Sequence, residues 1–395
     1  MLTDKNDYPL PVARRVIRSA MFRSGLAARL GPKYWRPTDT APYIHVPYRR
    51  TVRMFDGIPA EFADPAYNAM IGPDSARWSR HEETITAIDD CWVEPNRCQI
   101  IGPDGRLVKQ SLTHRLVPMF PSAIGYARRG AGERLAEAIV YDGFNSNNYF
   151  HHLVDTMPGI ILFLDRSGLA PDMPLIINRW IFENRFFTYL RERSAAFAAL
   201  NWRVQEPGEW LHVGRAYRLS AAPYDRETHQ KVRAMYGRVA EPPGDDGRGG
   251  RRIFLSRDSK MFGRGIVNER EVAALLGTLG FETIYAEHLT LAQQQRLFEE
   301  TTHLVALHGM GLVQQLFMDA NRGHVLELMP GDRLHSIYYW LGWTLGMRFY
   351  DVQSGSAMDE SARYRIDLDR LEAGVRRMLD HPAGQRRYGE TLIAD

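Results

Sequence analysis

From Arg252 onward the chain alternates short apolar runs with helix-compatible stretches, and this rhythm narrows the fold more than any other feature. Arg252–Ser256, Phe281–Tyr285, Leu304–Leu307 and Val325–Leu328 are short and rich in Phe, Ile, Leu and Val, the pattern of strands buried on both faces. The stretches between them carry helix-start signals. Asn268 precedes Glu271 by three residues, and the segment they open stops at Gly280. Thr290 stands in the same relation to Gln293, and a further helix is expected after His308-Gly309-Met310-Gly311, running to about Ala320. Strand, helix, strand in succession implies a parallel sheet of the Rossmann type, with helices on its faces.

The same alternation is weaker upstream. Ala138–Tyr141 reads as a strand, Asn145–Asn148 as a helix-start cluster, and Tyr149–Leu164 as a mostly apolar helix that contains Pro158. Leu175–Ile177 then reads as a strand and Ile181–Leu200 as a helix. Residues 40–135 mix short apolar runs with turn signals such as Gly102-Pro103-Asp104-Gly105, which favours short strands and loops. The Pro- and Gly-dominated stretch 241–252 has no periodicity and reads as a linker. A length of 395 residues is enough for about two domains. The expected organisation is an N-terminal arm (1–39), an α/β domain (40–240), the linker (241–252) and a second α/β domain (253–395).

Net charge is only +3, which argues against a dedicated nucleic-acid binder. The charge is unevenly placed: residues 1–50 carry ten Lys or Arg against three Asp, a local excess of +7, and the rest of the chain has a net charge of −4. Within 9–38 there are seven basic residues and no acid, beside an apolar face formed by Val12, Val16, Ile17, Ala20 and Met21. Such a segment suits peripheral contact with an anionic membrane surface, or packing on the chain's own acidic remainder. Cys91 and Cys98 lack zinc-site spacing and are expected as free thiols, with a single disulfide as the alternative. There is no run of about 18 apolar residues and no signal-peptide pattern, so the expectation is a cytoplasmic protein, peripheral at most to the inner face of the membrane.

Two groups of residues carry chemistry. One lies on loops expected at the carboxyl edge of the second sheet: Ser256-Arg257-Asp258, His308-Gly309-Met310-Gly311 and Glu327. Arg257 offers a forked donor set to a diphosphate. The glycines let backbone N–H groups approach phosphate closely, and Glu327 could accept bonds from ribose hydroxyls. The other group is Asn148-Tyr149-Phe150-His151-His152-Leu153-Val154-Asp155. On a helix His151 and Asp155 share a face, as a general base and its partner would, or as a core hydrogen bond would. The His-His-x-x-Asp pattern of His151, His152 and Asp155 could instead ligate a metal in a hydrolase, but a catalytic site needs at least three protein ligands and no clear third is nearby in sequence. The pattern also misses that of condensation-type acyltransferases by one residue. Asp367-Leu368-Asp369 resembles an Asp-x-Asp metal motif but stands in a charged stretch that reads as a solvated helix.

In this order the pieces resemble glycosyltransferase family 61, the DUF563 group common in capsular and exopolysaccharide biosynthesis. The resemblance rests on Asn148 through Pro158, then Ser256-Arg257, Arg264 and Asn268-Glu269, then His308 through Phe317 with Glu327-Leu328-Met329-Pro330. It covers residues 140–330 and departs from the family pattern at His152, Met310 and Val313-Gln314. It implies a GT-B-like α/β fold of two Rossmann-type domains facing a cleft, behind an N-terminal extension, with residues 241–252 as hinge. It also implies inverting, metal-independent transfer from a nucleotide-sugar donor, UDP-linked by family habit, to a glycan or lipid-linked glycan. Asp155 is then the first choice of base and His151 the second. Ser256, Arg257, Arg264, Asn268, His308, Gly309, Met310, Gly311, Leu312 and Glu327 would serve the donor, and Asn148 and His152 the acceptor side. No cofactor or metal is expected. The competing reading is a non-catalytic nucleotide- or glycan-binding subunit of an assembly complex.

Overall fold

The computed structural model describes residues 38, 40–54, 62, 64, 66–71, 79–109, 126, 129–130, 133–141, 148–239, 250–258, 265–382, 385–388 and 391–393. Of the basic arm only Thr38 falls within this set, and residues 241–249 of the expected linker also lie outside it. The chain divides into two compact units, one formed by residues 1–51 and 82–221, the other by 52–81 and 222–395. Arg251 and Arg252, at the end of the expected linker, already belong to a strand of the second unit.

The first unit is built on a mixed sheet. Its strands are β1 (Ile44–Arg53), β2 (Arg80–Val93), β3 (Ile100–Ile101), β4 (Glu133–Val140), β5 (Leu175–Asn178), β6 (Trp202–Gln205) and β7 (Leu211–Ser220), in the order β1-β2-β7-β4-β5-β6 with β3 beside β2. The stretch β7-β4-β5-β6 is parallel, whereas β2 runs antiparallel to β7 over nine residue pairs and is the principal departure from the parallel sheet expected. Its core joins Ile88, Val93, Ile100, Val140, Ile176 and Val213 with Cys91 and Cys98. Both cysteines are buried free thiols, and burial pushes the Cys91 thiol up. No helix among the described residues is long and apolar enough to cross a membrane.

Two helices expected as continuous are interrupted for identifiable reasons. Tyr149–Leu164 begins helically, widens into a π-helical turn over His151–Thr156, and resumes as an α-helix over Met157–Arg166. Pro158 stands in the first turn of that α-helix, where its missing N–H and its ring are tolerated; the wider turn lies just upstream, where a regular ladder would meet the ring. Ile181–Leu200 is three short helices, Arg179–Phe182, Arg185–Arg193 and Ala195–Ala198. Asn178, Asn184 and Ser194 each cap one of them by accepting a backbone N–H.

The second unit follows the sequence reading closely. Strands β8 (Arg251–Ser256), β9 (Gly265–Ile266), β10 (Glu282–Tyr285), β11 (Thr301–Leu307), β12 (His324–Met329), β13 (Phe349–Ser354), β14 (Arg363–Tyr364), β15 (Arg386–Tyr388) and β16 (Thr391–Ile393) are present. The main sheet has the order β10-β8-β11-β12-β13-β15-β16, parallel except for the last pair, and β9 pairs with β14 separately. Counting its first five strands along the chain, the order is 2-1-3-4-5, a doubly wound arrangement that reverses direction between β8 and β11. Phe254, Val305, Leu326 and Phe349 fill its core beneath helices Glu269–Thr278 and Leu368–Leu379. The Thr290–Gln293 capping box forms as expected, and Gly280 ends its helical segment at φ +84°. Asn268 does not cap its helix; its side chain brackets the backbone N–H and C=O of Ile366. After Gly309 the backbone takes a tighter 3₁₀ path over Met310–Phe317 instead of an α-helix.

The early excursion 52–81 packs the rings of Phe62 and Tyr67 against Tyr339 and is fastened to this unit by a buried carboxylate. Asp64 is 2% exposed. Its Oδ1 accepts the N–H groups of Ala66 and Tyr67, and its Oδ2 accepts the N–H and hydroxyl of Ser354 at the end of β13 together with Arg370. Burial pushes this carboxyl up, but the bonds from Ser354, Tyr67 and Arg370 outweigh it and hold it below the usual range.

Three imidazoles make stability depend on pH. Burial pushes His152 and His303 from 6.5 down to about 3, and His324 to about 4. Folded, they stay neutral; unfolded, they take up protons below about 6.5. The unfolded chain then binds more protons, so stability falls as pH drops from about 6.5 toward 4, by up to about 1.4 kcal/mol per pH unit per group. Urea unfolding at pH 7.5 and pH 5 should show a lower midpoint at pH 5. An unchanged midpoint would contradict buried neutral histidines.

Candidate functional site

In a doubly wound sheet the loops that follow the strands on either side of the reversal splay apart and leave a crevice at the carboxyl edge. Here those loops begin with Arg257 after β8 and His308 after β11. A cavity of about 250 Å³ opens there, lined by Arg257, His308, Arg333, His335, Met358 and Tyr364 among others.

The arginine is held by a backbone bond. Arg257 Nη2 donates to the carbonyl oxygen of His308 at 3.0 Å, and the guanidinium lies directly over Gly309. A Cβ at position 309 would land on Nη2, and the φ of +155° there is one that other residues rarely adopt. Gly309 is therefore what admits the arginine to this place. Gly309→Ala should displace the guanidinium and lower stability by about 1–3 kcal/mol; a variant with unchanged melting temperature and ligand affinity would contradict the packing described.

His308 is fixed from beneath. Its Nδ1 donates to Glu327 Oε1 at 2.6 Å, while Glu327 Oε2 accepts the hydroxyl of Tyr350 at 2.7 Å. Glu327 is fully buried with both oxygens engaged, so the carboxylate expected to receive ribose hydroxyls instead holds the His308 ring. His335 stacks on His308 with ring centroids 5.3 Å apart, and Tyr338 meets its edge at 5.2 Å. Tyr364 donates to the carbonyl of Leu328 at 2.9 Å. Burial, chiefly, pushes the Tyr338, Tyr350 and Tyr364 hydroxyls up, so they remain protonated donors at neutral pH.

Several expected donor residues turn out to support the site from behind. Ser256 is buried and donates to Glu269 Oε1 at 2.5 Å, the atom that also accepts the Tyr285 hydroxyl. Asn268 is buried against Ile366, and Leu312 is a core side chain with no exposure. Met310 and Gly311 are partly exposed on the turn after β11. Arg264 lies outside the described residues. Arg333 and His335 were not anticipated, although their loop follows β12 at the same edge and the rule that singled out Arg257 applies to it equally.

The second cluster lies in the first unit. In the π-helical turn His151 Nδ1 donates to Asp155 Oδ2 at 2.5 Å, with the histidine side chain 25% exposed and the aspartate 51% exposed. This is the pairing expected from the spacing, formed on a wider turn. Asn148 accepts the Phe150 N–H at 3.0 Å and so starts the helical segment. His152 is different: it has no exposure and lies among the rings of Tyr149 and Phe186. That corrects its expected place on the acceptor side, and it weakens a metal site built from His151, His152 and Asp155. Among the described residues no three His, Cys, Asp or Glu side chains are placed to share an ion. Asp367, half of the Asp-x-Asp pattern, caps the helix Leu368–Leu379 by accepting the Arg370 N–H.

Residues 149–325 match the family model described as Glycosyltransferase 61. The matched span includes the His151–Asp155 pair, Arg257 and His308, and it stops two residues before Glu327. No curated protein matches the chain.

Proposed function

Residues 149–325 belong to glycosyltransferase family 61, and on that premise we propose that the chain transfers a sugar from a nucleoside-diphosphate donor to a hydroxyl of a glycan or lipid-linked glycan, with inversion and without a metal ion. The observation that carries this reading is the convergence of Arg257, seated on Gly309, with His308 and Arg333 at the sheet reversal of the second unit. A departing diphosphate develops negative charge on its bridging oxygen, and fixed guanidinium donors stabilise that charge without reorganising. Arg257 is fixed in this way by the His308 carbonyl.

The acceptor hydroxyl must lose its proton as its oxygen attacks the anomeric carbon. The His151–Asp155 pair supplies that base: the proton passes to the pair, the new C–O bond forms, and the old bond breaks with its electrons on the diphosphate. Asp155 remains the first choice of base because its carboxylate is the more exposed of the two, with His151 holding one of its oxygens.

A panel of nucleoside diphosphates and nucleotide sugars, read by thermal unfolding, tests donor binding, because a ligand of the native state raises the melting temperature in step with its affinity. A shift for one nucleotide family, together with slow release of sugar from its activated form in EDTA, is the expected result. Shifts without turnover on any donor would leave a binding subunit in place of an enzyme, and dependence of turnover on a divalent cation would remove the metal-free mechanism.

A further inference from the structure

The second unit has another cavity, on the opposite edge of its sheet. It encloses about 220 Å³ where the amino ends of β12, β13 and β15 are approached by Asp319–Asn321, Leu345–Gly346 and Arg386. β12 has six residues, so this cavity lies roughly 20 Å from the carboxyl-edge pocket at about 3.3 Å per residue. Three arginines line it: Arg226, Arg233 and Arg386.

Two of these guanidiniums are positioned by backbone carbonyls, which fix their geometry. Arg226 Nε donates to the Thr344 carbonyl at 2.9 Å. Arg233 donates through Nη1 and Nη2 to the carbonyls of Met318 and Phe317 at 2.9 and 3.1 Å. Arg226 and Arg386 meet over Gly346: a Cβ there would stand 2.8 Å from Arg226 Nη2 and 3.2 Å from Arg386 Nη1. Gly346 has a φ of +80°, so its bare, left-handed backbone lets both cations approach one point. Arg226 is also the first residue of the helix Arg226–Tyr236, where the helix dipole already favours a negative charge and a cation is out of place.

Asp319 and Glu299 attract the Arg233 guanidinium electrostatically. Asp225 is turned to the helix, its Oδ2 accepting the N–H and hydroxyl of Thr228. Asp319 lines the cavity, but its Oδ1 accepts the Asn321 N–H, and among the described residues it forms no ion pair with any of the three arginines. Forked donors gathered on one side of a small cavity fit a tetrahedral oxyanion. The volume leaves room for the group that carries it.

We propose that this amino-edge cavity binds a phosphate monoester through Arg226, Arg233 and Arg386, at a site separate from the carboxyl-edge pocket. The full chain in a phosphate-free chloride buffer, titrated with inorganic phosphate and followed by calorimetry, should show saturable binding. Arg226→Gln combined with Arg386→Gln should weaken that binding tenfold or more, and Arg257→Ala should leave it in place. No saturable binding overturns the proposal, as does binding that survives the double substitution or is lost with Arg257→Ala. If the double variant does not fold, phenylglyoxal labelling of the unaltered protein decides: phosphate should protect Arg226 and Arg386, and equal labelling with and without phosphate overturns the assignment. Vesicles identify the source of the group. Binding to phosphatidic acid vesicles, but not to phosphatidylcholine, supports a lipid phosphate; phosphate binding without vesicle binding supports a soluble ester.

Discussion

Asp155→Asn should lower sugar transfer by about 10²–10⁴-fold, the range a positioned general base contributes, while donor affinity and melting temperature stay where they are. The side chain is 51% exposed, and its one described polar partner is His151 at 2.5 Å. Asparagine preserves shape and removes both the charge and the basicity. Substitutions at such exposed positions shift stability by about 0.5 kcal/mol or less, so a fall in rate would report chemistry and not folding. His151→Gln should cost less if Asp155 takes the proton itself, and as much if the two act as a unit. Steady-state transfer on any accepted acceptor, with thermal unfolding in parallel, gives the answer. Full activity in Asp155→Asn would remove this pair from the mechanism.

Arg257→Ala should reduce transfer by about 10²–10³-fold, as the loss of one fixed donor to a developing oxyanion does elsewhere. It should also weaken binding of the nucleoside diphosphate. Arg257→Lys is the sharper variant. Lysine restores the charge but lacks the fork that bonds the His308 carbonyl while still presenting a second nitrogen to a ligand. Partial recovery of affinity with little recovery of turnover is expected, since a mobile ammonium binds the ground state and is not preorganised for the transition state. Equal turnover for the arginine and lysine forms would show that charge alone suffices.

How much of this was legible beforehand differs between the two units. In the second, the strands, the capping box at Thr290 and the stop at Gly280 all follow from local rules, because apolar runs and caps are written in adjacent residues. The site residues were legible only as a group. Spacing placed Arg257, His308 and Glu327 at one edge, but whether a side chain faces ligand or core depends on its tertiary partners. Glu327 proved buried between His308 and Tyr350, and Asn268 was taken by Ile366, 98 positions later. In the first unit the π-helical turn ahead of Pro158 and the caps at Asn184 and Ser194 were present in the sequence as signals, yet the apolar pattern across them read as unbroken helix. Residues 40–135 were obscure because part of the stretch belongs elsewhere: 52–81 joins the second unit.

That excursion bears on the order in which the protein is made. Asp64 finds Ser354 and Arg370 at separations of 290 and 306 positions, so during synthesis residues 52–81 leave the ribosome long before the strand and helix that receive them. The first unit, complete at Ala221, can begin folding while this segment is still waiting, and the second can close only after nearly the whole chain has been translated. The gene is therefore poorly suited to being cut at the 241–252 stretch: a fragment beginning there would lack both residues 52–81 and the helix Arg226–Tyr236, and should emerge insoluble or unfolded unless the missing pieces are supplied alongside it.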